Sequence, residues 1–310
     1  MASALYTPLC DLLDARHPIV QTGMGWVATP ELVAAVCDTG AFGFLAAATI
    51  PPGEVEAAIG RTRALTDRPF GVNFLMDAPG ADVIAEAIVR HGVKAAGYNR
   101  APDAALVRKL KDAGVVCMPT CGAVKHAVKA AKLGADAIVV QGGEGGGHTG
   151  SVPTSLLVSA CADAVDVPIV AAGGFRDGRG LVAALALGAQ GVAMGTRFLL
   201  TKESPVPSTT TDRYLAAGVE QVRVTDRIDG LPQRVVTNEL VEQLERASGL
   251  ELLVRAFRSA LALRQETGAS IPELLRAGLA MRRHERLTRS QMLMAANAPM
   301  LAKRAMAGGD

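Results

Sequence analysis

Eight short apolar runs, each followed by a segment long enough for a helix, govern what this chain can fold into. They recur at spacings of roughly 20–30 residues, the rhythm of parallel strand–helix–strand units. In order they are 17–21 (HPIVQ), 41–48, 69–75 (PFGVNFL), 93–98, 115–119, 137–141, 168–172 (PIVAA) and 191–194. A doubly wound α/β sheet shares that rhythm. Eight consecutive units without a long antiparallel break predict instead a closed (β/α)8 TIM barrel. Gly114, Gly134 and Gly188 fall just before strands and read as helix C-caps.

After about residue 201 the rhythm breaks into a Pro/Ser/Thr-rich loop, and 226–237 reads as a hairpin-like or extended excursion. From residue 238 onward the pattern is helical. The expected organisation is a barrel over 1–225 and a C-terminal helical appendage over 226–310. The last part, 276–310, carries seven Lys and Arg against Glu285 and Asp310. A solvated helix face explains that charge. So would an anionic substrate group held by Arg282, Arg283 and Arg286, since Arg282 and Arg286 share a helix face.

Composition narrows the class. Hydrophobic residues make up 49% of the 310 but aromatics only 4%, so the core must be aliphatic. A net charge of +2 argues against a nucleic-acid or membrane-surface protein. No apolar run approaches the ~20 residues that span a bilayer, and the N-terminus lacks the pattern of a signal peptide. A cytoplasmic protein is expected, with a homo-oligomer left open. The five cysteines are odd in number and scattered, which reads as buried thiols. Cys117 and Cys121 have no neighbouring histidine pair, so no metal site is expected.

The chemistry concentrates in 137–150, AIVVQGGEGGGHTG. A short apolar strand opens into Gly142–Gly147, broken only by Glu144, and then into His148. Such a run can bring backbone N–H groups close to a ligand, while an imidazole suits proton transfer near neutral pH. In a (β/α)8 barrel the site lies at the strand C-termini. The residues there are Gln21, Thr22, Gly23, Met24, Gly25 and Trp26, then Asn73, then Gln141 to His148, Gly173 and Gly174, and Gly195 and Thr196. The AAGGF turn (171–175), the helix start after it and the MGTRF turn (194–198) together predict a site for one phosphate. No GxGxxG opens a first βαβ unit, so a dinucleotide site is not indicated.

Five ordered motifs resemble the nitronate monooxygenase family, formerly called 2-nitropropane dioxygenase, which includes a flavin-dependent enoyl-ACP reductase branch. They are VQTGMGW (20–26), FGVNF (70–74), QGGEGGGHTG (141–150), AAGGF and GVAMGTRFLLTKES (191–204). The resemblance implies an FMN-dependent oxidoreductase whose flavin is not covalently attached. Asn73 and the turn Gln21–Gly25 would line the flavin ring. Gly173, Gly174, Gly195 and Thr196 would hold its phosphate, with Gln141, Gly146 and Gly147 beside it. His148 matches the family's active-site histidine, an acid/base or substrate-orienting group next to the flavin. Glu144 could orient His148 or contact the ribityl chain; a solvated carboxylate explains it equally well.

Two features differ from many members. The first loop reads TGMGW without a nearby proline, and Trp26 puts a bulky ring at the flavin edge. The tail is similar to a branch from bacterial steroid-ring degradation, whose members dehydrogenate coenzyme A thioesters. Three readings follow: a nitronate-oxidising enzyme, an acyl-CoA dehydrogenase or reductase, and a non-flavin phosphate-binding barrel acting as lyase, isomerase or metabolite binder.

Overall fold

In the computed structural model, residues 5–99, 102–249, 251–252, 254, 294 and 297–307 are described. The strands in chain order are β1 (Ile19–Gln21), β2 (Phe42–Ala46), β3 (Gly71–Leu75), β4 (Ala95–Asn99), β5 (Val116–Cys121), β6 (Ile138–Gln141), β7 (Gly147–His148), β8 (Ile169–Ala172), β9 (Gly191–Met194), β10 (Val222–Thr225) and β11 (Gln233–Val236). The chain forms two compact units, Met1–Gly145 with Thr149–Pro205, and Gly146–His148 with Val206–Asp310.

The first unit is the (β/α)8 barrel. Its strands run in the order β1-β2-β3-β4-β5-β6-β8-β9, all parallel, and β9 closes onto β1 with Val20 opposite Ala193. Side chains alternate along each strand, as a pleated backbone requires. One set, including Val20, Phe42, Phe44, Met118, Val139 and Val170, fills the interior. The other set, including Leu45, Val72, Phe74, Ile138, Val140 and Val192, packs under the surrounding helices. Phe42 and Phe44 meet edge-on at 5.2 Å inside the barrel. Two strands give way to them: a side chain on Gly71 would lie 2.3 Å from the Phe44 ring, and one on Gly97 3.1 Å. Glycine at those positions is therefore a packing requirement.

A helix that the sequence reading did not predict, Pro8–Leu13, contributes Leu9 and Leu13 to the interior cluster. Thr7 Oγ1 donates to Gln190 O at 2.5 Å, and Leu9 packs on Gly191, the first residue of β9. This helix thus closes the end of the barrel where the strands begin. The open end is the one where they finish. All five cysteines are buried free thiols, and burial pushes Cys37 up to about 11 and Cys117 and Cys121 up to about 12. At neutral pH Cys37, Cys117 and Cys121 stay protonated and inert.

The second unit holds a small antiparallel sheet in the order β10-β11-β7. β10 and β11 form the hairpin expected near 226–237, and β7 adds to its edge with His148 opposite Gln233. Helix Glu239–Arg246 starts at Asn238, whose side chain accepts from the Val241 N–H at 2.9 Å, an N-cap worth ~1 kcal/mol. Ile228, Leu244 and Leu252 form the core of this unit, with Leu301 of helix Asn297–Met306 packed against them. Asn297 Nδ2 donates to Ile228 O at 2.9 Å. Arg282, Arg283 and Arg286, with the helices predicted around them, lie outside the described residues. Among the described residues no helix is long and apolar enough to cross a membrane.

Candidate active site

The mouth of the first unit gathers most of the predicted residues. Asn73 rises from β3 between two glycines. A Cβ on Gly23 would sit 2.4 Å from its Cβ, and one on Gly97 3.0 Å from its Nδ2. Its amide is held by shape rather than by chance rotamer. Gly195, just past β9, lies against Thr22 and Met24, at 3.4 and 3.5 Å from an added Cβ. The turn after β1 and the turn after β9 are thus neighbours, joined also by the Thr22 N–H donating to Met194 O at 3.2 Å.

Gln21 ends differently from its expected place on the flavin. It is 0% exposed, and its Nε2 donates to Thr22 O and, at 3.3 Å, to Phe44 O. It braces the turn from below. Trp26 stands in the left-handed region at φ 61, a strained conformation for a bulky side chain. Its N–H donates to Thr49 Oγ1 at 3.1 Å, and Gly25 packs on the Thr49 methyl. Strain of that kind costs about 1–3 kcal/mol and gathers at functional sites.

On the opposite side of the mouth, Gly173 and Gly174 both have positive φ, 101 and 81. A Cβ on Gly173 would lie 2.7 Å from the Gly145 nitrogen, so the two glycine turns after β6 and β8 touch through bare backbone. Gln141 packs against the same Gly145, whose added Cβ would meet its Nε2 at 2.5 Å. Gly174 and Thr196 are exposed, and Gly173 and Gly195 half-buried. This is a cradle that side chains would fill, and it fits a phosphate group carried by a cofactor.

One expectation about that cradle needs correction. The helix after β8, Gly178–Ala186, does not offer its first N–H groups to a ligand. The Asp177 carboxylate accepts from Arg179 N at 3.0 Å and Gly180 N at 3.5 Å, satisfying that helix end itself. Hydrogen bonds from the Arg179 side chain hold the Asp177 carboxyl well below its usual range. Glu144 Oε2 accepts from Thr154 N at 2.7 Å and from the Thr154 hydroxyl, capping helix Thr154–Ala162.

Gly146, Gly147 and His148 belong to the second unit. There His148 Nε2 lies 2.7 Å from Asp229 Oδ2 and 3.3 Å from Gln233 Nε2. The imidazole is 55% exposed and the carboxylate 6%. Asp229 sits in the β10–β11 loop, where Gly230 takes φ 86 and the Leu231 N–H donates to Asp229 Oδ1 at 3.1 Å. Burial pushes the Asp229 carboxyl up, but hydrogen bonds from His148 and Gln233 outweigh it and hold the group below its ordinary value. A base paired with a buried carboxylate is a common arrangement for proton transfer. Sequence reasoning missed both partners. The Asp229–Gly230 dipeptide is a turn signal, yet nothing in it points 81 residues back to His148.

The nitronate monooxygenase family model matches residues 6–305. A relative from Rhodococcus jostii (strain RHA1), the (3aS,4S,5R,7aS)-5-hydroxy-7a-methyl-1-oxo-octahydro-1H-indene-4-carboxyl-CoA dehydrogenase, is 51% identical over 308 residues, covering 99% of this chain and 87% of its own. A probable nitronate monooxygenase of Staphylococcus aureus (strain JH9) is 30% identical over 287 residues, 78% of this chain and 81% of its own. Among solved structures, FabK from Thermotoga maritima superposes with a TM-score of 0.75 at 35% identity, over 82% of this chain and 84% of that one. The chain belongs to the nitronate monooxygenase family of flavin-dependent oxidoreductases.

Proposed function

We propose that this enzyme is an FMN-dependent dehydrogenase of a coenzyme A thioester whose acyl part is a compact, steroid-derived bicycle. The observation that carries the substrate class is the difference in identity between two kinds of relative. It is 51% over nearly the whole chain for an acyl-CoA dehydrogenase and 30% for a probable nitronate monooxygenase. Support for a mononucleotide comes from the paired glycine turns after β8 and β9, which suit a single phosphate.

In this reading Thr22, Gly23, Met24, Gly25 and Asn73 line the flavin ring, with Gln21 and Gln141 bracing them. Gly173, Gly174, Gly195 and Thr196 take the phosphate, while Gly146 and Gly147 keep the backbone slim ahead of His148. When bound, FMN supplies a two-electron acceptor. The thioester carbonyl acidifies the carbon beside it, and His148 takes the proton from that carbon. Trp26 faces the acyl group. Arg282, Arg283 and Arg286 clamp the coenzyme A phosphates, part of a substrate-side role for 226–310, while 1–225 is the flavin barrel. The enzyme works in the cytoplasm.

The test is anaerobic mixing of the flavin-loaded protein with bicyclic acyl-CoA esters and, separately, with nitronates. A thioester should bleach the flavin and emerge two hydrogens lighter. Bleaching by nitronates alone would give the substrate to the second reading, nitronate oxidation. A protein that stays colourless after incubation with FMN would overturn the cofactor.

A further inference from the structure

We infer that Asp229 is the positioning residue for His148, fixing the imidazole proton on Nε2 so that Nδ1 carries the lone pair. The inference rests on the reading of His148 as the base. It begins with the small sheet of the second unit. Pairing of β7 with β11 sets His148 opposite Gln233, and Asp229 lies four residues before Gln233 in the hairpin loop. The carboxylate is therefore delivered to the imidazole by the register of a sheet. It is also clamped from behind. Its Oδ1 accepts the Leu231 N–H, and the Gly230 N–H donates to Asp226 O at 2.9 Å. Only Oδ2 is left for His148.

The 2.7 Å contact between His148 Nε2 and Asp229 Oδ2 decides the proton's place. A carboxylate has no proton to give at neutral pH, so the ring nitrogen must supply it. The consistent arrangement has Nε2–H and the Gln233 amide both donating to Asp229. Burial of that carboxylate strengthens the preference, since an unpaired charge there would be costly. Asp229 does not touch the substrate in this scheme. It acts by holding the ring and stabilising the imidazolium once the proton has been taken.

Asp229→Asn discriminates between this role and mere support of the hairpin. The asparagine oxygen should stay on the Leu231 N–H, turning the amide nitrogen toward His148 Nε2. That donor would force the ring proton to Nδ1, the wrong tautomer for a base. With flavin content and KM retained, kcat should fall about 10²–10⁴-fold. In the 15N-histidine-labelled holoenzyme, the ring resonances that vanish in His148→Ala should show Nε2–H in the native protein and Nδ1–H in Asp229→Asn. Asp229→Glu, which restores a carboxylate, should recover part of the lost rate.

Native Nδ1–H, an unchanged tautomer in Asp229→Asn, or equal loss in the Asn and Glu variants would overturn the proposal. His148→Ala measured alongside separates the two levels. If it retains turnover, the base reading itself has failed. If it is inactive while Asp229→Asn turns over normally, only the positioning role has failed.

Discussion

Gly23 lies against Asn73 so closely that a single methyl on Gly23 would come within 2.8 Å of the Asn73 Oδ1. Asn73 is flanked on its other side by Gly97, where an added Cβ would meet Nδ2 at 3.0 Å. The amide therefore has nowhere to retreat. Gly23→Ala should displace Asn73 and weaken flavin affinity at least tenfold, measured by titrating apo-protein with FMN. The same change at Gly60, in helix Val55–Leu65 with nothing within 4 Å, should raise stability by about 0.5–1 kcal/mol. Denaturant midpoints give that comparison.

The cradle after β8 makes a sharper demand. Gly174→Asp would place a side chain at φ 81 and a second carboxylate beside Glu144, whose Cβ is 3.2 Å from the new Cβ. Repulsion of the phosphate should leave the purified protein colourless. A full complement of flavin in this variant would move the phosphate elsewhere.

Trp26 is the only tryptophan of the chain, so its emission reports on the barrel mouth alone. Flavin binding should quench it in proportion to occupancy. Thr49→Val removes the hydroxyl that receives the Trp26 N–H and should release the φ 61 conformation. Flavin affinity should survive that change, while the quench shrinks as the ring moves.

The Asp229 carboxyl titrates below its ordinary value, and the sign of its contribution to stability follows from that. An unfolded aspartate has a pKa of ~3.9. The stabilisation is fully present above that pH and is lost as pH falls through the lower folded value. Thermal melts of Asp229→Asn should therefore lose less between pH 5 and pH 3, roughly the acid range at issue, than melts of the native protein. Parallel acid limbs in the two proteins would contradict this.

The barrel was legible because its signal is local. Each apolar run of four to eight residues announces a buried strand, and observed strands such as Ile138–Gln141 and Ile169–Ala172 fall within the predicted runs. The glycines of the mouth were legible as well, since so dense a run marks a loop, although Gly147 enters a short strand. What escaped depends on distant partners. Gly147–His148 is a strand only because β11 lies beside it, 85 residues later for His148 and Gln233. The six-residue helix Pro8–Leu13 is too short to show a period, and its role is set by the barrel end it plugs. The helix start after 171–175 read as open to a phosphate, and only the structure shows Asp177 occupying the N–H groups of Arg179 and Gly180.

The central claim is that His148 is the proton acceptor for flavin reduction. Single-turnover mixing of His148→Ala holoenzyme with the acyl-CoA substrate, under anaerobic conditions, tests it most directly. The variant should keep its flavin, because the glycine turns and Asn73 lie in the other unit. Its rate of flavin reduction should fall by about 10²–10⁴. Flavin reduction at the native rate in His148→Ala would contradict the account.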